Sequence, residues 1–204
     1  LILNNASNPT GILYEKKELE AILSLAEKQN LTVISDEVYS GLVYDGKKFI
    51  SCGVFEKFHE RVVVIQSCSK NFAMTGWRVG FAFGPEKIIK RVIKIQSQST
   101  TGTSSISQWA AVEAFVKSIE IMSFVRREMQ KRRDIFVRIF NRHFPDARIL
   151  PPQSALYYFV PLSAFGVKKI TTGTSQKFCE KLLKKSGVAA VPGSAFGAEG
   201  YVRF

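Results

Sequence analysis

Cysteine is scarce in this sequence: Cys52, Cys68 and Cys179 are the only three in 204 residues. They are far apart, odd in number and show no Cys-x-x-Cys pairing, which argues against a disulfide framework or a zinc site and favours a reducing, cytoplasmic setting. Histidine is scarcer still, and His59 and His143 have no metal-ligand spacing, so no metal is expected. Neither a run of roughly 18 apolar residues nor a basic-then-apolar leader is present, so a soluble protein with no membrane partner is expected. Internal repeats and low-complexity tracts are lacking too, which sets aside solenoids and long linkers.

What is present is globular in character, with 46% hydrophobic and 23% charged residues. Lys and Arg number 29 against 17 Asp and Glu, a formal charge of +12 that hints at anionic partners such as phosphate esters, carboxylates or nucleic acid. Much of that charge lies on one helical stretch, Arg126, Arg127, Lys131, Arg132, Arg133, Arg138 and Arg142, diluted by Glu128 and Asp134. This reads as a solvated helix face, and with no nucleic-acid-binding motif beside it no nucleic-acid partner is expected. The chain opens on Leu1 within a strand-like run and stops at Phe204 without a polar tail, so a piece of a longer polypeptide is expected.

Short apolar runs alternate with amphipathic segments, the pattern of an α/β architecture. Leu1 to Leu3 reads as a strand, Asn4 to Gly11 as turn, and Leu19, Ile22, Leu23 and Ala26 fall on one helix face. Leu31 to Ile34 and Val62 to Ile65 read as further strands, and Arg78 to Phe83 as another, closed by Gly84-Pro85. Helices are predicted near residues 86 to 98, 105 to 117 and 120 to 142. The last carries Ile121, Phe124, Val125, Ile135, Phe136, Ile139 and Phe140 on one face. A boundary near residue 118 divides a unit at 1–118 from a smaller α+β unit at 119–204. In the smaller unit Ala155 to Val160 and Val188 to Val191 are strand-like, and residues 175 to 186 form a helix with Phe178, Leu182 and Leu183 inward.

In open parallel sheets ligands lie outside the carboxyl ends of the strands, so polar residues directly after apolar runs are the ones to inspect. Asn8 follows the first run in Asn8-Pro9-Thr10-Gly11. Asp36 follows the second in Ser35-Asp36-Glu37-Val38-Tyr39, and Lys70 the third in Ser67-Cys68-Ser69-Lys70. If the strands are parallel neighbours, these side chains converge. The set suits a cofactor with an imine-forming carbonyl, a ring nitrogen and a phosphate. An amine forms the Schiff base, a carboxylate pairs with a protonated ring nitrogen, and hydroxyl, amide and guanidinium groups hold the ring oxygen and the phosphate.

These three segments, with Asn71-Phe72-Ala73-Met74-Thr75-Gly76-Trp77-Arg78-Val79-Gly80 after Lys70, resemble the class I/II aminotransferases of the pyridoxal-phosphate (PLP) enzymes of fold type I. Val191-Pro192-Gly193-Ser194-Ala195-Phe196-Gly197, leading to Tyr201-Val202-Arg203, resembles that family's segment before its substrate-carboxylate arginine. The likeness covers essentially the whole chain. It implies part of a large PLP-binding domain, a mostly parallel sheet flanked by helices, joined to a smaller α+β domain, both truncated.

It also implies roles. Lys70 would carry the cofactor and act as the base, Asp36 would pair with the pyridinium nitrogen, and Tyr39 and Asn8 would hold the phenolic oxygen, Asn8 also touching substrate. Ser67 and Arg78 would bind the phosphate, and Arg203 the substrate carboxylate. The implied reaction moves an amino group between an amino acid and a 2-oxo acid in a homodimer, with aspartate or aromatic donors favoured. The resemblance extends to carbon-sulfur lyases and cyclopropane-carboxylate synthases and, with a winged helix upstream, to transcription regulators that carry an aminotransferase-like domain. The family's glycine-rich phosphate loop and ring-stacking aromatic would lie before Leu1, so the chain alone is expected to be inactive.

Overall fold

The computed structural model describes residues 1–204. Strands β1 (Ile2–Asn4), β2 (Val33–Asp36), β3 (Val62–Ser67) and β4 (Gly80–Phe83) form one sheet in that order. The first three are parallel neighbours and β4 runs antiparallel to β3. The strand expected from Arg78 begins two residues later, because Arg78 sits in the left-handed region at φ 57°. Gly80 then passes so close to the neighbouring strand that a Cβ would meet the Gln66 carbonyl oxygen at 2.9 Å.

The helices are α1 (Lys16–Lys28), α2 (Cys68–Asn71), α3 (Glu86–Ser99), α4 (Ser105–Val116), α5 (Ser118–His143) and α6 (Thr174–Ser186). None is long and apolar enough to cross a membrane. Helix α1 starts where the Glu18 carboxylate accepts the Glu15 backbone N–H at 2.7 Å. It lays Leu19, Leu23 and Ala26 on the sheet face formed by Leu3, Val33, Val62 and Val64. Each large side chain in that cluster contributes about 1.5–3 kcal/mol by leaving water. Side chains alternate along a strand, so the opposite face carries Asn4, Asp36, Ile65 and Ser67 toward the carboxyl ends.

A second sheet has strands β5 (Phe159–Pro161), β6 (Val191–Pro192) and β7 (Tyr201–Arg203), antiparallel, with β7 in the middle. The longer strand expected from Ala155 is shortened because Ala155 is left-handed at φ 62°. Phe140 of α5 and Cys179 of α6 close over Val160, Leu162 and Val202. In α6 the buried positions are Ser175 and Cys179, whereas Leu183, expected inward, faces out. Along α5, Val125, Val137 and Phe140 are buried, and Phe124, Ile135 and Ile139, also expected inward, are exposed. Val125 packs with Tyr39, Leu42 and Tyr44, so α5 touches both sheets' surroundings.

The basic row on α5 is solvated except at one position. Arg133 is only 4% exposed. Its guanidinium donates to both Asp45 carboxylate oxygens at 2.7 and 2.8 Å, to Asp134 at 2.8 Å and to the Pro152 carbonyl at 3.0 Å. Residues 152–155 form a seam between two loops. The Ser154 hydroxyl donates to the Gly11 carbonyl at 2.9 Å, the Tyr44 N–H to the Gln153 carbonyl at 3.0 Å, and the Ala155 N–H to the Leu42 carbonyl at 2.9 Å. Gly11, at φ 67°, has no room for a Cβ, which would meet Pro152 Cβ at 2.5 Å.

Candidate functional site

The polar ends of β1, β2 and β3 lie side by side, with Asn4 in register with Asp36 and Asp36 with Ile65. Asn4 organises the loop that follows it. Its amide donates to the Asp36 backbone carbonyl at 3.1 Å, and its Oδ1 accepts the Asn8 N–H at 2.6 Å. The sequence reading did not single out Asn4, and the only available signal was its place as the last residue of a strand.

Asp36 accepts the Val38 N–H on Oδ1 at 3.3 Å and receives no hydrogen bond from the chain on Oδ2. That leaves one carboxylate oxygen for a donor from elsewhere. The Tyr39 hydroxyl lies 2.8 Å from the Tyr157 hydroxyl. Burial, that hydrogen bond and the nearby Tyr157 and Asp36 push Tyr39 well above the usual phenol range, while Arg203 pulls it down. Tyr39 is therefore a neutral hydrogen-bonding group near neutral pH.

Arg203, in the middle strand of the second sheet, donates to Asn8 Oδ1 at 2.8 Å. The Tyr157 and Phe196 rings pack against its guanidinium at 4.3 and 4.9 Å from their centroids. Asn8, Tyr39 and Arg203, spread over most of the chain, are thus brought together, and Tyr157 joins them. Tyr157 was missed by the sequence reading because it lies in an apolar, aromatic run, Tyr157-Tyr158-Phe159, where packing is the default role.

Ser67 and Arg78 line a cavity of about 660 Å³ between β3, β4 and α3, together with Ile65, Ser69 and Gln96. The Ser67 hydroxyl is already engaged, accepting the Ser69 N–H at 3.0 Å and donating to the Val79 carbonyl at 3.2 Å. One guanidinium N–H of Arg78 goes to the Thr75 carbonyl at 3.0 Å, and the others remain available. Lys70, on α2 directly after Ser69, takes part in no salt bridge or side-chain hydrogen bond and is half-buried. Cys68 beside it is fully buried among Phe72, Met74 and Val79. The His59 Nε2–H donates to the Gly53 carbonyl at 2.7 Å, and no cluster of three metal-ligating side chains exists.

The chemistry of these donors fits PLP, although of the expected site residues only Ser67 and Arg78 line the cavity, and Asn8, Asp36, Tyr39 and Lys70 lie outside its lining. A guanidinium and a hydroxyl line a cavity wide enough for a phosphate, and a carboxylate oxygen without a chain partner suits a ring N–H. A neutral phenol and an amide suit a ring oxygen, and an unpaired amine follows on the next element.

Residues 1–204 match the family model described as aminotransferase class I and II. Among curated relatives, the asparagine–oxo-acid transaminase of Streptococcus mutans is 36% identical over 205 residues, which span 100% of this chain and 51% of that protein. The aspartate aminotransferase of Pyrococcus abyssi is 38% identical over 208 residues, again 100% of this chain and 51% of the relative. The solved structure of an aromatic aminotransferase from Pyrococcus horikoshii superposes with a TM-score of 0.90 at 38% identity, covering 100% of this chain and 53% of that one. The chain spans about half the length of the curated relatives it matches.

Proposed function

Because this chain belongs to the class I and II aminotransferase family, we propose that its residues form the lysine-bearing part of a PLP site that transfers an amino group from an amino acid to a 2-oxo acid. The observation that carries this reading is the convergence of Asn8, Tyr39 and Arg203 from distant segments, beside the parallel tips that hold Asp36 and Ser67. When bound, PLP supplies an electron sink that lets the substrate α-carbon lose its proton.

The chain's own residues supply the rest. Lys70 Nζ holds the cofactor covalently and then carries the proton to and from the α-carbon, for which a half-buried amine without a carboxylate partner is suited. The Asp36 Oδ2 atom accepts the ring N–H and keeps the ring protonated. Tyr39 and Asn8 face the ring oxygen, and Arg78 with Ser67 takes the phosphate. Ser67 does so after its hydroxyl turns from the Val79 carbonyl. Arg203 forks onto the substrate α-carboxylate, with Asn8 using one N–H and the two rings fixing the guanidinium plane. The relatives named above differ in donor, so the α-amino acid and 2-oxo acid common to them define the proposed substrate class. We place this chemistry in the cytoplasm, in a homodimer, on the strength of the family alone.

The test uses the full-length protein that carries this chain. Offered PLP, it should give a borohydride-fixable adduct on Lys70, lost in Lys70→Ala and kept in Lys87→Ala. Offered an amino acid with 2-oxoglutarate, it should pass the nitrogen to the oxo acid. Equal retention of the adduct by both variants sinks the assignment of Lys70, and release of ammonia or pyruvate without consumption of oxo acid moves the reading to a carbon-sulfur lyase.

A further inference from the structure

A second polar constellation lies just behind the strand tips, and none of the roles above uses it. Glu37, next to Asp36, is completely buried. Its Oε1 accepts the Ser35 hydroxyl at 2.9 Å and the Cys52 N–H at 2.8 Å, and its Oε2 accepts the Gln66 amide N–H at 3.2 Å. Burial holds the carboxyl above its usual range, and these donors pull it back down.

From there the bonds continue toward the lysine. The Gln66 side-chain Oε1 accepts the Ser40 hydroxyl at 3.1 Å, and the Ser40 oxygen accepts the Asn71 side-chain amide N–H at 3.0 Å. Asn71 Oδ1 accepts the Gly41 N–H at 3.0 Å. Asn71 is the residue after Lys70, and it too is buried. From Asn71 to Glu37 every hydrogen points the same way, so each donor polarises the next and the chain ends on the carboxylate. The path has little slack, since a Cβ on Gly41 would meet Asn71 Oδ1 at 3.0 Å and Met122 Cε at 2.6 Å.

We propose that Glu37, Gln66, Ser40 and Asn71 form a buried hydrogen-bonded link that positions Lys70 relative to Asp36, locking α2 to the tips of β2 and β3. The proposal rests on the PLP reading above. The two ends of the link are the immediate chain neighbours of the two groups that must stay in register across the cofactor ring. Core packing of Cys68 and Phe72 seats α2, a single turn, against β4 and α4, and the link adds a directional polar contact from α2 to the segment after β2. The link is built from side chains whose desolvation is expensive unless every partner is present, so loss of one member unsettles the others.

The experiment takes the full-length PLP-loaded protein and compares Ser40→Ala, Asn71→Ala and the control Asp45→Asn, which loosens the structure far from Lys70. Ser40→Ala removes one hydroxyl, so it carries the test even if Asn71→Ala does not fold. The expected result is a kcat roughly 10- to 100-fold lower for the first two, with KM for the amino donor within about twofold. The visible circular dichroism of the bound cofactor, which reports its orientation, should change in both, while Asp45→Asn keeps kcat and the dichroism. Wild-type kcat and dichroism in Ser40→Ala, with only a lower melting temperature, overturn the proposal. A wild-type protein with no adduct at Lys70 sinks the PLP reading, and this proposal with it.

Discussion

The middle of α5 and the end of β7 each press an arginine against aromatic rings, yet only one of the two is neutralised. Arg133 lies over Tyr44 at 4.9 Å and meets two carboxylates, Asp45 and Asp134. Arg203 lies against Tyr157 and Phe196 and meets only the neutral amide oxygen of Asn8. The first guanidinium has spent its charge inside the protein and acts as a clasp. The second meets no carboxylate and has several N–H donors free in a half-buried, aromatic-lined setting, the arrangement that the proposed carboxylate role requires.

The sharpest way to break this contrast is to give both sites the same substitution. On the proposed carboxylate role, Arg203→Met would remove two hydrogen bonds to a charged substrate group, about 3 kcal/mol, so kcat/KM of the full-length protein should fall roughly 150-fold with little change in urea stability. Arg133→Met should do the reverse. Here the partner Asp45 is half exposed and recovers water, so the cost is about 2 kcal/mol in the urea midpoint, with activity per folded molecule preserved. If Arg133→Met instead lost activity without losing stability, the clasp and the receptor would have been confused.

Two milder changes sharpen it. Tyr157→Phe keeps the ring under Arg203 and removes the hydroxyl that meets Tyr39, a neutral hydrogen bond of about 1 kcal/mol, so kcat/KM should fall about fivefold. Asp45→Asn should cost less than about 1 kcal/mol at neutral pH, and its signature is the acid limb of stability. The hydrogen bonds from Arg133 hold the Asp45 carboxyl below the ordinary aspartate value. The clasp therefore stabilises the fold above about pH 3.9 and is lost as pH falls through the lower folded-state value. In melts recorded below that pH, the variant and the parent should converge.

The same contrast shows what could be read from the residues. Asn8, Asp36 and Lys70 stood out because each follows an apolar run, whereas Tyr39, Ser67 and Arg78 entered through the family resemblance; the runs raised the possibility of parallel neighbours, and β1-β2-β3 are parallel. Arg133 was read with its neighbours as solvated, because a basic row on a helix looks uniform until the fold brings Asp45 to one member of it. Tyr157 and Asn4 were hidden for the same reason, as their partners are settled by long-range packing or by a loop closing on a strand end. Strand limits failed where single residues turn left-handed, Arg78 before β4 and Ala155 before β5, a backbone choice that leaves no mark in hydrophobic periodicity.

The seam at residues 152–155 links these two arginines in a different sense. It is sewn to the Gly11 turn on one side and to residues 42–44 on the other, and Tyr157 departs only two residues beyond it. It works as an anchor pin: the stretch that carries Tyr157, part of the aromatic floor beneath Arg203, leaves a segment fastened on both sides. A side chain larger than hydrogen at Gly11 would press on Pro152 and the Ser154 carbonyl and wedge that pin, three residues from the Asn8 that meets Arg203.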